Sequence, residues 1–129
     1  MINFSNELKN ADQNAFLDIK IGSVVKNYKK IKKKVSKNCS VAATVKADAY
    51  GLGIKPIAKS LIANECNTFF VATLTEAIEL RNVSKRVSIY VLNGLNNNNI
   101  KIFHKQNLIP VINNLDQLKK AELFSFNKK

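Results

Sequence analysis

Residues 43–53 read Ala-Thr-Val-Lys-Ala-Asp-Ala-Tyr-Gly-Leu-Gly, a lysine at the end of a short β-type run followed closely by a tyrosine and two glycines. Thr44, Val45 and their neighbours suit a short buried strand, Gly51 and Gly53 punctuate a turn, and Ile54 to Ile62 has helical apolar spacing. Lys46 therefore stands at a strand's C-terminal end. In a β/α barrel that end is the rim, where side chains leave the packed interior and meet a ligand. A lysine there suits Schiff-base chemistry, because partial desolvation lowers its pKa and exposes a nucleophilic amine. Alternation along the strand predicts Ala42, Thr44 and Lys46 on the face toward the barrel axis, with Ala43, Val45 and Ala47 on the other. A lone lysine, one of nineteen in the chain, is ordinarily a solvated surface residue; the motif around Lys46 is what favours a cofactor site.

Working outward, four runs rich in β-branched, aromatic or small apolar residues predict strands: Ala42 to Lys46, Thr68 to Thr73, Val87 to Asn93 and Leu108 to Ile112. Amphipathic segments separate them, which is the alternation of an α/β fold with a parallel sheet. Ile21, Val24, Val25, Tyr28, Ile31 and Val35 follow one helix face while lysines cover most of the rest. Thr73 and Glu76 have the spacing of a capping box, so a helix starts directly after the second strand and Glu76 reads as a cap. Pro56 fits the first turn of the preceding helix. Asn114 and Gln117 predict a last start, with Leu115, Leu118, Ala121 and Leu123 on its buried side. A complete barrel takes about 250 residues. Residues 1–129 thus read as a single unit, the N-terminal half of a TIM-type (β/α)8 barrel, incomplete by itself and a fragment or truncated product.

Residues 43–53 resemble the pyridoxal-phosphate motif of the alanine racemase family, approximately Val-Val-Lys-Ala-Asn/Asp-Ala-Tyr-Gly-His/Leu-Gly. Leu17-Asp18-Ile19 with Lys26-Asn27 is similar to the family's opening strand and helix, and Phe70-Val71-Ala72 with Glu76 and Leu80-Arg81 to its second strand and helix. Tyr90-Val91-Leu92 is similar to its third strand, so the resemblance runs from about Asn14 to Glu122. It implies that Lys46 carries pyridoxal 5'-phosphate covalently and is one of two racemisation bases, that Tyr50 hydrogen-bonds the cofactor phosphate, and that Thr44 and Leu92 line the pocket around the pyridine ring. It further implies an isomerase, alanine as substrate, D-alanine for peptidoglycan as product, and a homodimer in the complete enzyme. The family's second base, a tyrosine of the other subunit's C-terminal domain, lies outside these residues, as do its pyridine-facing arginine and main phosphate-cradling loop. Two departures stand out: Leu52 replaces a frequent histidine, and Asn64 to Asn67 lacks the glycine usual before the second strand. An alternative keeps the fold and drops the activity, leaving a half-barrel that binds the cofactor weakly or acts as an interaction module.

Composition narrows the remaining classes. Hydrophobic residues make up 46% of the chain, enough for a folded core. The net charge of +12 raises nucleic-acid binding, but the lysines decorate outer helix faces without interleaved aromatics, so no nucleic-acid partner is expected. Asn96 to Asn99 reads as a tolerant connection or helix start. Cys39 and Cys66 have no metal-ligand spacing and His104 sits alone, so no metal site is expected, and free thiols fit a reducing compartment. Met1 to Asn10 has no apolar core of signal-peptide length and no segment approaches a membrane span, which leads to the expectation of a cytoplasmic protein without a membrane partner.

Overall fold

A computed structural model describes residues 17–126; the readings made of Met1 to Asn10, and of a resemblance beginning at Asn14, lie outside them. Four parallel strands form one sheet in the order β1 (Ala43–Thr44), β2 (Thr68–Val71), β3 (Ser88–Val91) and β4 (Ile109–Pro110). Helix α1 (Ile21–Lys32) precedes β1, and α2 (Ile54–Ile62), α3 (Leu74–Val83), α4 (Ile100–Lys105) and α5 (Leu115–Phe126) follow the strands in turn. Chain order and sheet order coincide, as in a β/α barrel and unlike a doubly wound sheet, whose strand order reverses at a switch point.

Strand alternation decides where the core lies. Phe69, Val71, Ile89 and Val91 are fully buried on the helix-covered face, together with Val45 just beyond β1. Ile54, Ile57, Ala58 and Leu61 of α2, Ala77 and Leu80 of α3, and Phe103 of α4 pack onto that face. The opposite face carries Thr44, Phe70, Tyr90 and Ile109, all in register across the four strands. Phe70 and Tyr90 stack there, with ring centroids 4.8 Å apart and planes 18° from parallel. That face would be a barrel's interior. The sheet is therefore closed on its helix side and open on the other.

The helix starts that follow β1 to β4 rest on local chemistry. Thr73 accepts from the Glu76 N–H at 3.3 Å while the Glu76 carboxylate accepts from the Thr73 N–H at 3.0 Å, so the expected capping box is present. Asn114 Oδ1 accepts from the Gln117 N–H at 2.9 Å and opens α5 as expected. Pro56 falls in the first turn of α2. Asn99 precedes α4, and its Oδ1 accepts from the Asn96 N–H at 2.8 Å, which organises the asparagine run as a helix entry.

Several expectations are corrected. The strands are shorter than the apolar runs, because residues at the run ends enter the βα turns instead of extending the ladder. Leu17 to Ile19 forms no strand and Leu17 is exposed, since the chain turns into α1 through an Ile21 N–H to Ile19 carbonyl bond. Helix α1 ends at Lys32, short of Val35, and Ile31 on its expected packing face is exposed. Leu115, Leu118 and Leu123 are also exposed; β4 is a two-residue edge strand and offers α5 a narrow surface, and of the four residues expected on its buried side Ala121 packs on the core. The glycine missing before β2 is replaced by Glu65 at φ 66°, a left-handed residue that turns the chain out of α2. Val111 donates to the Val91 carbonyl, so alternation turns Pro110 toward the open side of β4, where it removes one edge donor.

Candidate active site

The chain leaves β1 through an unusual turn. Val45, at φ −124° and ψ 26°, has already left strand geometry, and Ala47, Asp48, Ala49 and Tyr50 all have φ between 51° and 58°. Ala47–Tyr50 is thus a turn of left-handed helix, not the simple glycine turn expected from Gly51 and Gly53. Each non-glycine residue in that conformation costs about 1–2 kcal/mol. Hydrogen bonds offset the cost: Ala49 N–H to Val45 O, Gly51 N–H to Ala47 O and Gly53 N–H to Asp48 O, each 2.9 Å. Asp48 Oδ1 also accepts from the Ile54 N–H at 2.7 Å and so caps α2 from inside the turn.

A second carboxylate holds the turn from outside. Glu76 Oε1 accepts from the Ala47 N–H at 2.6 Å, and Oε2 accepts from Ala72 at 2.8 Å and Thr73 at 3.0 Å. One side chain therefore joins the exits of β1 and β2. Burial raises the Glu76 pKa, but the N–H donors of Thr73, Ala47 and Ala72 and the Thr73 hydroxyl outweigh it and bring the group below its ordinary 4.5. A depressed folded-state value means that the ionised form stabilises the fold, fully above 4.5 and progressively less as pH falls through the folded value. Unfolding free energies from urea titrations between about pH 5 and about pH 3 should therefore fall more steeply for the native chain than for Glu76→Gln.

The residues singled out by sequence divide into two groups. Lys46 is half-buried at the β1 exit. Ala72 and Leu92 follow the β2–β3 register onto one tier at the C-terminal rim, and Lys46 stands beside them where the chain has left β1. Leu92 is half-buried and its N–H donates to the Val71 carbonyl at 2.9 Å, while Asn113 Nδ2 donates to the Leu92 carbonyl at 2.7 Å. Thr44 lies one tier below, in the row of Phe70 and Tyr90. Tyr50 is 63% exposed. Thr44 and Tyr50 both line an apolar groove of about 260 Å³, which Lys46 and Leu92 do not. Residues 41–45 of both parities line that groove, so it runs along the open edge of β1 and not over either sheet face.

Sequence reasoning missed three anchors. Arg81 is buried at 3% exposure; Nε donates to the Gln106 carbonyl at 2.9 Å, Nη1 to Val87 at 2.8 Å and Ser84 at 3.2 Å, and Nη2 to Asn107 at 2.8 Å. It stitches the end of α3 to the entries of β3 and β4. Gln117 Nε2 donates to the Asn93 carbonyl at 3.2 Å and its Oε1 accepts from the Asn113 N–H at 2.9 Å, which locks the loop after β3. A Cβ on Gly94, at φ 68°, would meet Gln117 Oε1 at 2.2 Å and the Val111 carbonyl at 2.6 Å, so only glycine fits beneath that loop. Asp48 is the third. The signal for Arg81 was an arginine on the apolar stripe of α3; the Asn114/Gln117 spacing marked a helix start but not the tie of Gln117 to the loop after β3, and Asp48 left no signal that spacing alone reveals.

Cys39 is exposed and Cys66 buried, both free, and His104 is exposed in α4. Among the described residues no three His, Cys, Asp or Glu side chains gather as metal ligands, and no helix is long and apolar enough to cross a membrane.

Comparison with known proteins gives a consistent result. The family model for the alanine racemase N-terminal domain matches residues 19–128. Alanine racemase of Rickettsia prowazekii is 41% identical over 110 residues, which cover 84% of this chain and 27% of that protein. The biosynthetic alanine racemase of Mesorhizobium japonicum is 40% identical over 102 residues, 79% of this chain and 26% of that protein. The chain thus spans about a quarter of the length of the curated relatives it matches. Among solved structures, alanine racemase from Bartonella henselae with covalently bound pyridoxal phosphate superposes with a TM-score of 0.80 at 32% identity, over 85% of this chain and 32% of that one. Alanine racemase from E. faecalis superposes with a TM-score of 0.74 at 26% identity, over 81% of this chain and 28% of that one. With its four βα units in barrel order and a family match across nearly all of its described residues, this chain belongs to the alanine racemase family, within the N-terminal domain.

Proposed function

We propose that residues 1–129 are the N-terminal portion of the barrel of a pyridoxal-phosphate-dependent amino-acid racemase that interconverts L- and D-alanine, in the cytoplasm and for cell-wall peptidoglycan. The observation that carries the reading is the half-buried Lys46 where the chain leaves β1, at the C-terminal rim of a sheet whose open face carries the stacked Phe70 and Tyr90. An amine, a phenol and an apolar aromatic floor suit a planar aromatic aldehyde that bears a phosphate. Lys46 would hold the cofactor covalently, Tyr50 would donate its hydroxyl hydrogen to a phosphate oxygen, and Thr44 and Leu92 would border the ring. Bound pyridoxal phosphate supplies electron withdrawal from the amino acid's α-carbon, which makes its proton removable. Lys46 Nζ then takes or returns that proton on one face. The opposite face needs a donor from outside these residues, so this chain brings one base of two and the complete enzyme is a homodimer.

The test is a chimera in which residues 19–128 replace the matching segment of the Rickettsia prowazekii racemase. Formation of D-alanine by the purified chimera supports the reading. A folded, dimeric chimera that makes none would contradict it and favour the non-catalytic half-barrel, for which the open groove along β1 speaks. The 129-residue chain with added cofactor is expected to make no D-alanine by itself, since it has no positioned donor for the second face.

Tyr50→Phe in the chimera should weaken cofactor retention without abolishing racemisation. It removes one hydrogen bond to a charged acceptor, worth about 1.5–3 kcal/mol. Cofactor titration measures this, and an unchanged dissociation constant would return Tyr50 to a packing role over the turn.

A further inference from the structure

We propose that Glu76 is the positioning residue for Lys46, its carboxylate tying the left-handed turn that follows the lysine to the junction of β2 and α3. The inference rests on the reading of Lys46 given above and extends it. A helix cap needs only the reciprocal bonds between Thr73 and Glu76: the Glu76 N–H donates to Thr73 Oγ1, and Oε2 accepts from the Thr73 N–H and also from that of Ala72. Oε1 is not used by the cap. It accepts instead from Ala47, the residue directly after Lys46 and 29 positions before Glu76, at 2.6 Å. The turn it holds has four consecutive non-glycine residues with positive φ, a conformation that persists only where surrounding groups over-determine it. Asp48 fixes the turn's far end on α2, and Glu76 fixes its near end, at the lysine. Without Oε1, the peptide between Lys46 and Ala47 loses its one side-chain acceptor and can rotate toward right-handed geometry, which re-aims the amine.

The test uses the 129-residue chain itself. The chain is incubated with pyridoxal phosphate, reduced with borohydride and mapped by peptide mass, and the share of pyridoxyl group on Lys46 is compared with that on the other lysines. Amide hydrogen exchange at Ala47 is followed in parallel. Glu76→Gln offers one accepting oxygen to three N–H donors, so the Lys46 share should fall and Ala47 exchange should rise, each by about tenfold. Thr73→Ala weakens the same helix start but leaves Oε1 on Ala47, and both readouts should stay at the native level. A Glu76→Gln chain that labels Lys46 like the native one, or a Thr73→Ala chain that loses selectivity equally, overturns the proposal. Should Glu76→Gln not fold, Glu76→Asp replaces it, since the shorter side chain keeps the charge and cannot reach both strands. If the native chain shows no preference for Lys46, the cofactor reading fails by itself; equal Ala47 exchange in native and variant chains overturns the positioning role whether or not Lys46 takes the label.

Discussion

Replacing Lys46 by alanine in the chimeric racemase is expected to abolish D-alanine formation and covalent cofactor retention together. The loss is large because one amine serves two purposes. A positioned general base alone contributes about 10²–10⁴-fold to rate, and loss of the covalent attachment lowers the fraction of enzyme that holds cofactor at all. Among the described residues no other lysine stands in β1–β4 or at their C-terminal ends, so none of these amines is placed to substitute. The measurement is coupled detection of D-alanine alongside the cofactor's absorbance after gel filtration. Alanine at this position with racemase activity intact would remove Lys46 from the mechanism.

The second large effect concerns stability and lies away from the rim. Arg81→Met keeps most of the side-chain volume but strands the buried carbonyl of Val87 and the part-buried carbonyls of Ser84, Gln106 and Asn107. Each buried acceptor left unpaired costs about 1–3 kcal/mol. Part of that is recovered by relaxation and by removing a buried cation, so the net loss should be about 3–5 kcal/mol, a large fraction of a small domain's stability. Urea denaturation followed by circular dichroism should show a lower midpoint with an unchanged slope. An unfolding free energy within about 0.5 kcal/mol of native would mean that water replaces the guanidinium at no cost.

How far the sequence foretold this arrangement depends on the range of the interaction. Runs of β-branched, aromatic and small apolar residues such as Thr68 to Thr73 and the Thr73/Glu76 box are local, and the strands and helix starts they predicted are present. The parallel order follows from the same alternation of elements. The left-handed turn was hidden because Ala47, Ala49 and Tyr50 have no intrinsic liking for positive φ; it is imposed by Glu76, 29 residues away from Ala47, and by Asp48 reaching to α2. Arg81 was hidden for a similar reason. Its four acceptors come from loops whose proximity is a product of the fold, while in sequence it reads as one polar residue on a helix. The exposed Leu115, Leu118 and Leu123 show the converse failure: helical spacing identifies an apolar stripe, but not whether an element lies over it.

The claim at the centre of this account is that Lys46, among nineteen lysines, is the one that takes the cofactor. Borohydride reduction of the chain with pyridoxal phosphate, followed by peptide mass mapping, tests it most directly. The pyridoxyl group is expected on the peptide containing Lys46, in excess over every other lysine peptide. A pyridoxyl group distributed evenly over the exposed lysines, or concentrated on any one of them other than Lys46, would contradict it.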